Sequence, residues 1–377
     1  MIRESTKRWP AFLLMAAAAG ACQGQAGLPP TTNDSVRLTT VATGLEHPWS
    51  IAFLPDGRML VTERPGRLRI VTMKGEISAP VTGVPAVHAK GQGGLLDVVL
   101  DPDFSENASI YLAYAEPGAA GTNGTAVARA RLDGARLADL EVIFRQAPKI
   151  KSDHHFGCRL VFARDGSLFV ALGERNSERQ SAQDLGTHLG KIVRITKDGM
   201  VPADNPFVGR DGALPEIWSL GHRNIQGATL DPATGRLWAV EHGPRGGDEI
   251  NLPEGGRNYG WPVITYGTEY SGPAIGEGTA KPGMEQPHYY WIPSIATSGM
   301  TFYTGDAYPE WRGNLFVGAL AAKLVARLEI GADGKVKAEE RIPVGERVRD
   351  VRQGPDGALY LVTDEDNGRV LRLATAK

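Results

Sequence analysis

The chain has 377 residues, and its 41 Lys and Arg nearly balance its 43 Asp and Glu, for a net charge of −2. This balance excludes a general nucleic-acid-binding surface, so any anionic ligand must be held by a local cluster of basic side chains. The 47 Gly and 25 Pro favour many short strands joined by turns over long helices.

The first 22 residues have the pattern of an export signal. Arg3, Lys7 and Arg8 precede an apolar run over residues 11–19, which is too short to span a bilayer. The Ala-Gly-Ala-Cys sequence that ends at Cys22 is either a signal-peptidase site or a lipoprotein site at which Cys22 is acylated. We therefore expect an exported protein, which is periplasmic or, if Cys22 carries lipid, an outer-membrane lipoprotein.

Residues 23–36 are rich in Pro and Thr and predict a linker, whereas residues 37–377 are expected to form one domain. Besides Cys22 the chain contains a single cysteine, Cys158. Without an intramolecular partner for Cys158, the domain must fold without a disulfide and needs a large buried core instead.

A recurring phrase organises this domain: a turn containing Asp or Gly, followed by a strand in which apolar residues alternate. The phrase occurs six times, at residues 54–64, 101–116, 163–175, 231–243, 311–320 and 354–366. Other short β-rich runs lie between the copies, at residues 67–73, 124–132, 190–196, 324–330 and 369–374. This pattern predicts an all-β fold, a six-bladed β-propeller of four-stranded antiparallel blades. The alternative is a two-sheet sandwich, which would not by itself explain six similar phrases.

Two segments depart from the short-strand pattern. Residues 181–189 form the best candidate for a short helix because of their Ala-Gln-Asp-Leu run. Residues 265–300 form a long insertion that contains five aromatic residues, and insertions of this length are more often functional than idle.

The turn EHGPRGGDE, residues 241–249, is a candidate cation site. Its Gly and Pro residues expose backbone carbonyl groups, and Asp248 and Glu249 add carboxylates. Carbonyl and carboxylate oxygens are the ligands that Ca²⁺ prefers. The alternative is an ordinary solvated turn.

Functional side chains lie next to glycine or at strand ends in five segments that are far apart in the chain. A propeller would bring such loops together over its axis. The side chains are Gln92, the pair His154 and His155, the pair Arg223 and Asn224, Lys323, and the pair Arg347 and Arg349.

The chain resembles the soluble PQQ-dependent glucose/sorbosone dehydrogenases, and most closely their bacterial aldose sugar dehydrogenase branch. The resemblance covers residues 45–373, and its most specific motifs are GQGGLLDVVLDPDF, HFGCRLVF, LGHRNIQG, EHGPRGGDEINLPEGGRNYGWP and RVRDVRQGPDG. It implies a six-bladed propeller, in agreement with the number of repeated phrases.

The resemblance also implies roles for the residues at these motifs. Pyrroloquinoline quinone (PQQ) carries three carboxylates, which arginine can grip in bidentate fashion. The implied PQQ contacts are Gln92, Arg223, Asn224, Tyr270, Lys323, Arg347 and Arg349. The implied Ca²⁺ ligands are the carbonyls of Gly243 and Pro244 for an ion that touches the quinone, and Glu249 with the carbonyl of Tyr259 for a structural ion.

His155 aligns with the histidine that acts as general base in that family, and His154 is the competing candidate. The implied reaction oxidises the anomeric hydroxyl of an aldose to the lactone, with hydride transfer to PQQ. The sequence leaves open the electron acceptor and whether the protein is a monomer or a homodimer. Two alternative functions are a Ca²⁺-dependent propeller lactonase or hydrolase, which needs a carboxylate-rich cluster on the axis, and a non-catalytic periplasmic binding propeller.

Overall fold

The computed structural model describes residues 24–33 and 36–375. They form six small sheets arranged in a ring, and the first strand of each sheet contacts the first strands of both neighbouring sheets. The ring closes between residues 348–353 and residues 48–53. The prediction of a six-bladed β-propeller is therefore confirmed.

Within each blade consecutive strands are antiparallel, and we number the blades in chain order. Blade 1 consists of Pro48–Phe53, Met59–Glu63 and Arg67–Val71. Blade 2 consists of Leu95–Leu100, Ser109–Pro117, Asn123–Asp133 and Arg136–Arg145. Blade 3 consists of Gly157–Phe162, Leu168–Leu172, Lys191–Ile195 and Ile217–Leu220. Blade 4 consists of Ile225–Leu230, Leu237–Glu241, Asp248–Asn251 and Tyr289–Trp291. Blade 5 consists of Thr297–Phe302, Leu315–Ala319, Leu324–Ile330 and Val336–Pro343. Blade 6 consists of Val348–Gln353, Leu359–Thr363, Gly368–Thr375 and Val36–Leu45.

The six repeated phrases occupy equivalent places. Each supplies the turn after the first strand of a blade and then the second strand. In the copy at residues 163–175, the amides of Ala163 and Gly166 close the turn, and Leu168–Leu172 follows as the strand. Every residue of that strand is buried because neighbouring blades cover both of its faces.

The N-terminal part of the chain closes the ring. Val36–Leu45 pairs antiparallel with Gly368–Thr375 and completes blade 6 with residues from both ends of the domain. Gln25–Ala26 and Thr31–Thr32 add short parallel strands to the outer edges of blades 4 and 5. Residues 24–33, part of the predicted linker, therefore lie against the propeller. The residues predicted to form an export signal lie outside the described residues.

The two irregular segments differ from their predictions. A single 3₁₀ turn at Arg179–Gln183 replaces the helix expected over residues 181–189. The end of the predicted insertion is strand: Tyr289–Trp291 forms the fourth strand of blade 4, and Thr297–Phe302 begins blade 5. The irregular part is residues 252–288.

The remaining helical pieces are short: one α-helical turn at Phe104–Asn107 and 3₁₀ turns at Ala119–Gly121 and Pro309–Trp311. Among the described residues no helix has the length and apolar character needed to cross a membrane.

Candidate active site

Tyr259 and Tyr270 lie in the segment 252–288, between the third and fourth strands of blade 4, which reaches the Gly243 turn through the backbone bonds between Thr268 and Arg245. The other predicted site residues lie in or beside loops that leave one face of the propeller. These loops connect either the second and third strands of a blade or the last strand of one blade and the first strand of the next. Because strands alternate in direction, both kinds of connection lie on one face, which we call the upper face. The turns between first and second strands lie on the opposite face.

His155 lies in the loop before blade 3, and Glu174 lies just after the second strand of the same blade. Nδ1 of His155 is 2.6 Å from Oε2 of Glu174, and both side chains are buried. Glu174 also accepts the amide of Asn176 at 2.8 Å, which favours its carboxylate form. Glu174 therefore accepts the Nδ1 proton of His155. No group of the described chain bonds the other ring nitrogen, Nε2.

The pKa of His155 is lowered from its ordinary value. Burial is the main cause and the charge of Arg223 adds to it, while the hydrogen bond to Glu174 opposes both. The imidazole is thus neutral near neutral pH, with its lone pair on Nε2. His154, by contrast, is exposed and has no carboxylate partner among the described residues. The geometry favours His155 over His154 as a base.

Gln92 and Asn224 hold the backbone on either side of this histidine. The His155 amide donates to Oε1 of Gln92 at 2.8 Å, and the Gly157 amide donates to Oδ1 of Asn224 at 3.1 Å. His155 has a φ of 49°, a conformation that a side-chain-bearing residue adopts only where its surroundings support it. The side-chain amides of Gln92 and Asn224 supply that support in the structure.

Arg223 is buried beside the candidate cation turn. Its Nη1 donates to the carbonyl oxygens of His242 at 3.1 Å and Gly243 at 3.0 Å. Its guanidinium lies 5.3 Å from the ring centre of Trp261, which gives it an aromatic platform.

Arg347 and Arg349 converge on one carboxylate, that of Asp364, and Arg64 joins them. Arg349 forms a close ion pair with Asp364, while Arg64 and Arg347 lie 3.5 and 3.8 Å from it. Burial raises the pKa of Asp364, but the charges of Arg349 and Arg64 outweigh it and hold this pKa well below its usual range. Three cations therefore share one anion, and Arg347 remains 40% exposed.

His242 connects the two groups of arginines. Burial, followed by the charges of Arg223, Arg349 and His155, lowers the pKa of His242 to about 3. Its Nε2 is buried without a hydrogen-bond partner in the described structure. Hydrogen bonds place the same groups together: Arg223 donates to the His242 carbonyl, and the amide of Glu174, the partner of His155, donates to the Arg223 carbonyl at 2.9 Å. Arg349 donates to the side chain of Gln226, which lies two residues after Asn224.

Two predicted cofactor contacts, Lys323 and Tyr270, are exposed rather than buried among the other site residues. Lys323 has a φ of 54° and follows the second strand of blade 5; it is exposed and has no ion pair with any described residue. Tyr270 is 72% exposed at the tip of a hairpin that begins near Thr268. The structure shows no contact between Tyr270 and the arginines.

The turn at Gly243 and Pro244 is shaped by Asp248. One carboxylate oxygen of Asp248 accepts the Gly243 amide at 2.9 Å, and the other accepts Ser294 and the Ala296 amide, each at 2.7 Å. Asp248 is thus a structural residue of the turn. The Pro244 carbonyl accepts no hydrogen bond from the described residues and is available as a ligand.

Glu249 lies on the next strand, directly opposite Glu241. Burial and then the charge of Glu241 raise the pKa of Glu249 well above its usual range. Asn251 donates to both carboxylates at 2.9 Å. The Tyr259 ring stacks on His222, which is hydrogen-bonded to Glu241. The backbone carbonyl of Tyr259 accepts no hydrogen bond from the described chain.

The described residues contain no cluster of three or more His, Cys, Asp or Glu side chains that could hold a metal ion. A cation at either position therefore needs backbone carbonyls, water or a ligand of its own to complete its coordination. Two carboxylates do meet on the axis, Asp97 and Asp350, but Arg159 lies 2.9 and 3.2 Å from them, and all three are buried. They form a structural ion network rather than the open carboxylate cluster of a hydrolase.

The sequence interpretation missed Glu174, Asp364, Arg64, His242 and Trp261. A signal existed for the two acids, because each directly follows the second strand within a repeated phrase, at the upper face. Cys158, next to this region, is fully buried, and burial raises the pKa of its thiol to about 12. This thiol is therefore protonated and unreactive in the folded protein.

The fold and the site together define a class: a six-bladed propeller whose upper face unites a histidine–carboxylate pair with convergent arginines. The chain belongs to the glucose/sorbosone dehydrogenase family, whose model matches residues 45–372. It is similar to aldose sugar dehydrogenase YliI of Escherichia coli, with 50% identity over 347 residues that cover 90% of this chain and 93% of that protein.

Comparison with solved structures also finds similarity to aldose sugar dehydrogenases. The apo-form of the soluble aldose sugar dehydrogenase from Escherichia coli matches with a TM-score of 0.88 and 49% identity over 90% of this chain and 99% of that one. The PQQ-bound form of aldose sugar dehydrogenase from Streptomyces coelicolor matches with a TM-score of 0.72 and 29% identity, over 92% of this chain and 100% of that one.

Proposed function

We propose that the protein is a PQQ-dependent aldose dehydrogenase that oxidises the anomeric hydroxyl of a sugar to the lactone, with His155 as general base. The observation that carries the proposal is the buried His155–Glu174 pair beside arginines whose charge is not fully neutralised. Family membership and the similarity to the aldose sugar dehydrogenases of Escherichia coli and Streptomyces coelicolor support the choice of substrate class.

The residues of the upper face fit a tricarboxylate cofactor. Arg64, Arg347 and Arg349 have only Asp364 in common as an anion, and Lys323 has no described ion pair. Partly buried cations in excess of their partners destabilise the protein unless an anion joins them. Arg347 and Lys323, the more exposed cations, would pair with PQQ carboxylates, and Arg223 and Asn224 would bind it nearer to His155.

The two Ca²⁺ positions fit differently. At the turn, Gly243 and Pro244 offer neutral carbonyls, the Gly243 oxygen already accepts Arg223, and both oxygens of Asp248 are engaged. An ion there would be held well only together with an anionic cofactor. At the second position, burial and then the nearby charge of Glu241 disfavour the charged form of Glu249, so a cation with the Tyr259 carbonyl as co-ligand would stabilise this carboxylate.

When bound, PQQ supplies an electrophilic quinone that accepts hydride, and Ca²⁺ supplies a Lewis acid that polarises it. The chain supplies the base. Nε2 of His155 takes the proton of the anomeric hydroxyl while that carbon loses its hydride, and the carbon–oxygen bond becomes the lactone carbonyl. Glu174 holds the ring in the tautomer with a free Nε2 and stabilises the imidazolium that forms.

Gln92 and Asn224 keep this base in position by fixing the backbone on both sides of it. This positioning lowers the loss of freedom needed to reach the reactive geometry. Both amides therefore contribute to turnover in addition to any contact with the cofactor.

We propose export from the signal-like residues at the N-terminus, with lipidation of Cys22 as the alternative to simple cleavage. The first described strand, Gln25–Ala26, lies on the outer edge of blade 4. A lipid on Cys22 would therefore keep the propeller close to a membrane.

The test is reconstitution. Purified protein is mixed with PQQ and Ca²⁺, supplied with a panel of aldoses, and assayed by reduction of an artificial dye. We expect dye reduction that depends on PQQ, together with one lactone for each sugar consumed. Absence of reduction with every aldose and simple alcohol, despite bound PQQ, would contradict the proposal. Lactone hydrolysis by the apo-protein would favour the hydrolase instead.

A further inference from the structure

His47, which has no role in the proposed mechanism, lies against the cluster of arginines around Asp364. It belongs to the loop that joins blade 6 to blade 1 on the upper face, where the ring closes. Its Nδ1 is 2.9 Å from one oxygen of Asp364, and its Nε2 is 2.8 Å from an oxygen of Asp366. One imidazole ring therefore bridges two carboxylates, of which Asp364 is buried and Asp366 is exposed.

Backbone hydrogen bonds fix His47 in this position. Its amide donates to the Glu365 carbonyl at 2.9 Å, and its carbonyl accepts the Arg64 amide at 3.1 Å. These bonds support a φ of 44°, a conformation that is uncommon for a residue with a side chain. His47 thus ties the loop of Asp364 and Asp366 to the loop of Arg64.

The bridge needs a protonated ring. A neutral imidazole has one N–H group and one lone pair, so it would turn that lone pair toward one of the two carboxylates. The imidazolium donates from both nitrogens and satisfies both carboxylates. When it makes both bonds, His47 therefore adds a fourth positive charge to those of Arg64, Arg347 and Arg349.

The groups that face this ring carry charges of both signs. Asp364 and Asp366 accept its two N–H groups, and Arg64 approaches the same oxygen of Asp364 at 3.5 Å. Arg349 and Arg347 lie at the other oxygen of Asp364. The remaining acids of the surrounding loops have partners of their own: Glu46 pairs with Arg67, Glu63 pairs with Arg67 and Arg69, and Glu365 accepts the Arg347 amide.

The arginines keep unused donors beside Asp364. The Nε atoms of Arg64 and Arg349 are buried and have no hydrogen-bond partner among the described residues. Burial lowers the pKa of Arg64; the charge of Asp364 opposes this effect, whereas the charges of Arg349 and Arg347 add to it. The positive charges therefore repel one another, and a further anion would stabilise the cluster.

The proton on His47 sets how much of the Asp364 charge remains for the arginines. The imidazolium shares that negative charge and leaves the arginine charges to another anion. Without its proton the ring carries no charge, and the net charge of the cluster falls by one. A ligand with several carboxylates then binds less tightly, because each positive charge near the site adds to its attraction.

We infer that His47 is a positioning residue of the cofactor site, which as an imidazolium holds Asp364 and leaves the three arginines to the carboxylates of PQQ. The affinity for PQQ therefore falls as the pH rises and His47 loses its proton. The inference rests on the proposed function. It concerns the loading of the cofactor and not the proton transfer at His155.

The experiment titrates the apo-protein with PQQ in the presence of Ca²⁺ and follows tryptophan fluorescence. The titration is repeated between about pH 5.5 and pH 8.5, a range in which an ordinary histidine loses its proton while carboxylates stay ionised. We expect the dissociation constant of the original protein to rise by about three- to tenfold across this range, as expected for the loss of one charge near the ligand.

Two substitutions of His47 separate its charge from its place in the structure. His47→Gln keeps a hydrogen-bonding side chain without a charge, and His47→Lys keeps a charge that does not titrate in this range. We expect His47→Gln to bind PQQ about three- to tenfold more weakly at the acid end of the range and to lose most of the pH dependence. His47→Lys should bind tightly throughout.

His88→Gln is the matched control. His88 pairs with Asp153 on the upper face at 2.7 Å, and among the described residues Asp153 has no ion pair with an arginine. This variant should keep the original pH dependence. Thermal unfolding of each apo-variant shows whether it is folded at the temperature of the titration.

If the His47 variants are unfolded, Asp366→Asn provides the second test at an exposed position. The fall in affinity should then begin at lower pH, because one carboxylate fewer holds the proton on the ring. An unchanged pH dependence in His47→Gln or in Asp366→Asn would overturn the inference alone, and so would equal losses of affinity in His47→Gln and His47→Lys, which indicate a purely structural role. No PQQ binding by the original protein at any pH would overturn the proposed function as well.

Discussion

Nδ1 of His155 lies 2.6 Å from a carboxylate oxygen of Glu174, across two loops of the same blade. Burial lowers the pKa of His155, and the hydrogen bond to Glu174 is the main effect that opposes it. The pair therefore sets both the tautomer and the basicity of the proposed base.

Glu174→Gln should lower kcat by about 100-fold or more, because loss of the carboxylate removes the orientation and charge that stabilise the imidazolium. It should also move the acid limb of the kcat/KM profile to lower pH. The sign follows from the contribution of Glu174, which raises the pKa of His155, so its removal lets this pKa fall further. The measurement is a pH–rate profile, with exposed Glu178→Gln as the control. An unchanged profile would separate Glu174 from the chemistry.

His155→Ala should lower turnover by about 10²- to 10⁴-fold, as expected for loss of a general base. Affinity for PQQ should stay within a fewfold, since the histidine acts on the sugar. Cofactor binding by fluorescence titration and dye reduction together check this. His154→Ala is the matched control because His154 is the exposed neighbour without a carboxylate partner. If His154→Ala is the inactive variant, the assignment is reversed.

Arg347→Ala should weaken PQQ binding by about 10- to 100-fold, the loss expected when one charge-assisted hydrogen bond is removed. The remaining affinity should depend less on salt than that of the original protein. Titrations at two ionic strengths measure both effects. Arg58→Ala serves as the control, since Arg58 pairs with Asp56 on the opposite face. Equal affinity in the Arg347 variant would remove that residue from the cofactor site.

Glu249→Gln should abolish the stabilisation of the apo-protein by Ca²⁺. The original protein should melt at higher temperature with Ca²⁺ than with a chelator, because a ligand that binds only the folded state stabilises it. Without Ca²⁺ the variant should be no less stable, since the substitution relieves repulsion between Glu249 and Glu241. Glu254→Gln, at an exposed ion pair with Arg236, is the control. A full Ca²⁺ response in Glu249→Gln would place the structural ion elsewhere.

Deletion of residues 24–33 should lower the melting temperature by a few degrees and leave sugar oxidation intact. The segment pairs with the outer strands of blades 4 and 5, and the Leu28 amide donates to the Tyr289 hydroxyl at 2.8 Å. These contacts are at the outer edge and do not involve the upper-face residues. Thermal unfolding and dye reduction measure the two properties. Loss of activity at temperatures where the variant is folded would link this segment to the site.

The number of blades and the place of each repeated phrase could be predicted from the sequence, because a turn followed by an alternating strand is a local pattern. Residues 163–175 and 354–366 illustrate this, as each forms the same turn and second strand of its blade. The helix predicted over residues 181–189 was wrong beyond one 3₁₀ turn, since that segment bonds to other parts of the fold, as in the Gly221 amide to the Ala182 carbonyl.

Sequence patterns by themselves determined the six-bladed ring and selected the pair His154 and His155, with Arg223, Arg347 and Arg349, as candidates, and the family resemblance then favoured His155. Only the tertiary structure decided which partners these side chains have: Glu174 for His155, Asp364 for Arg349, and Trp261 beneath Arg223. The physical reason is that a repeated strand is specified by neighbours along the chain, whereas pKa values and ion pairs depend on burial and on charges that only the closed ring brings together.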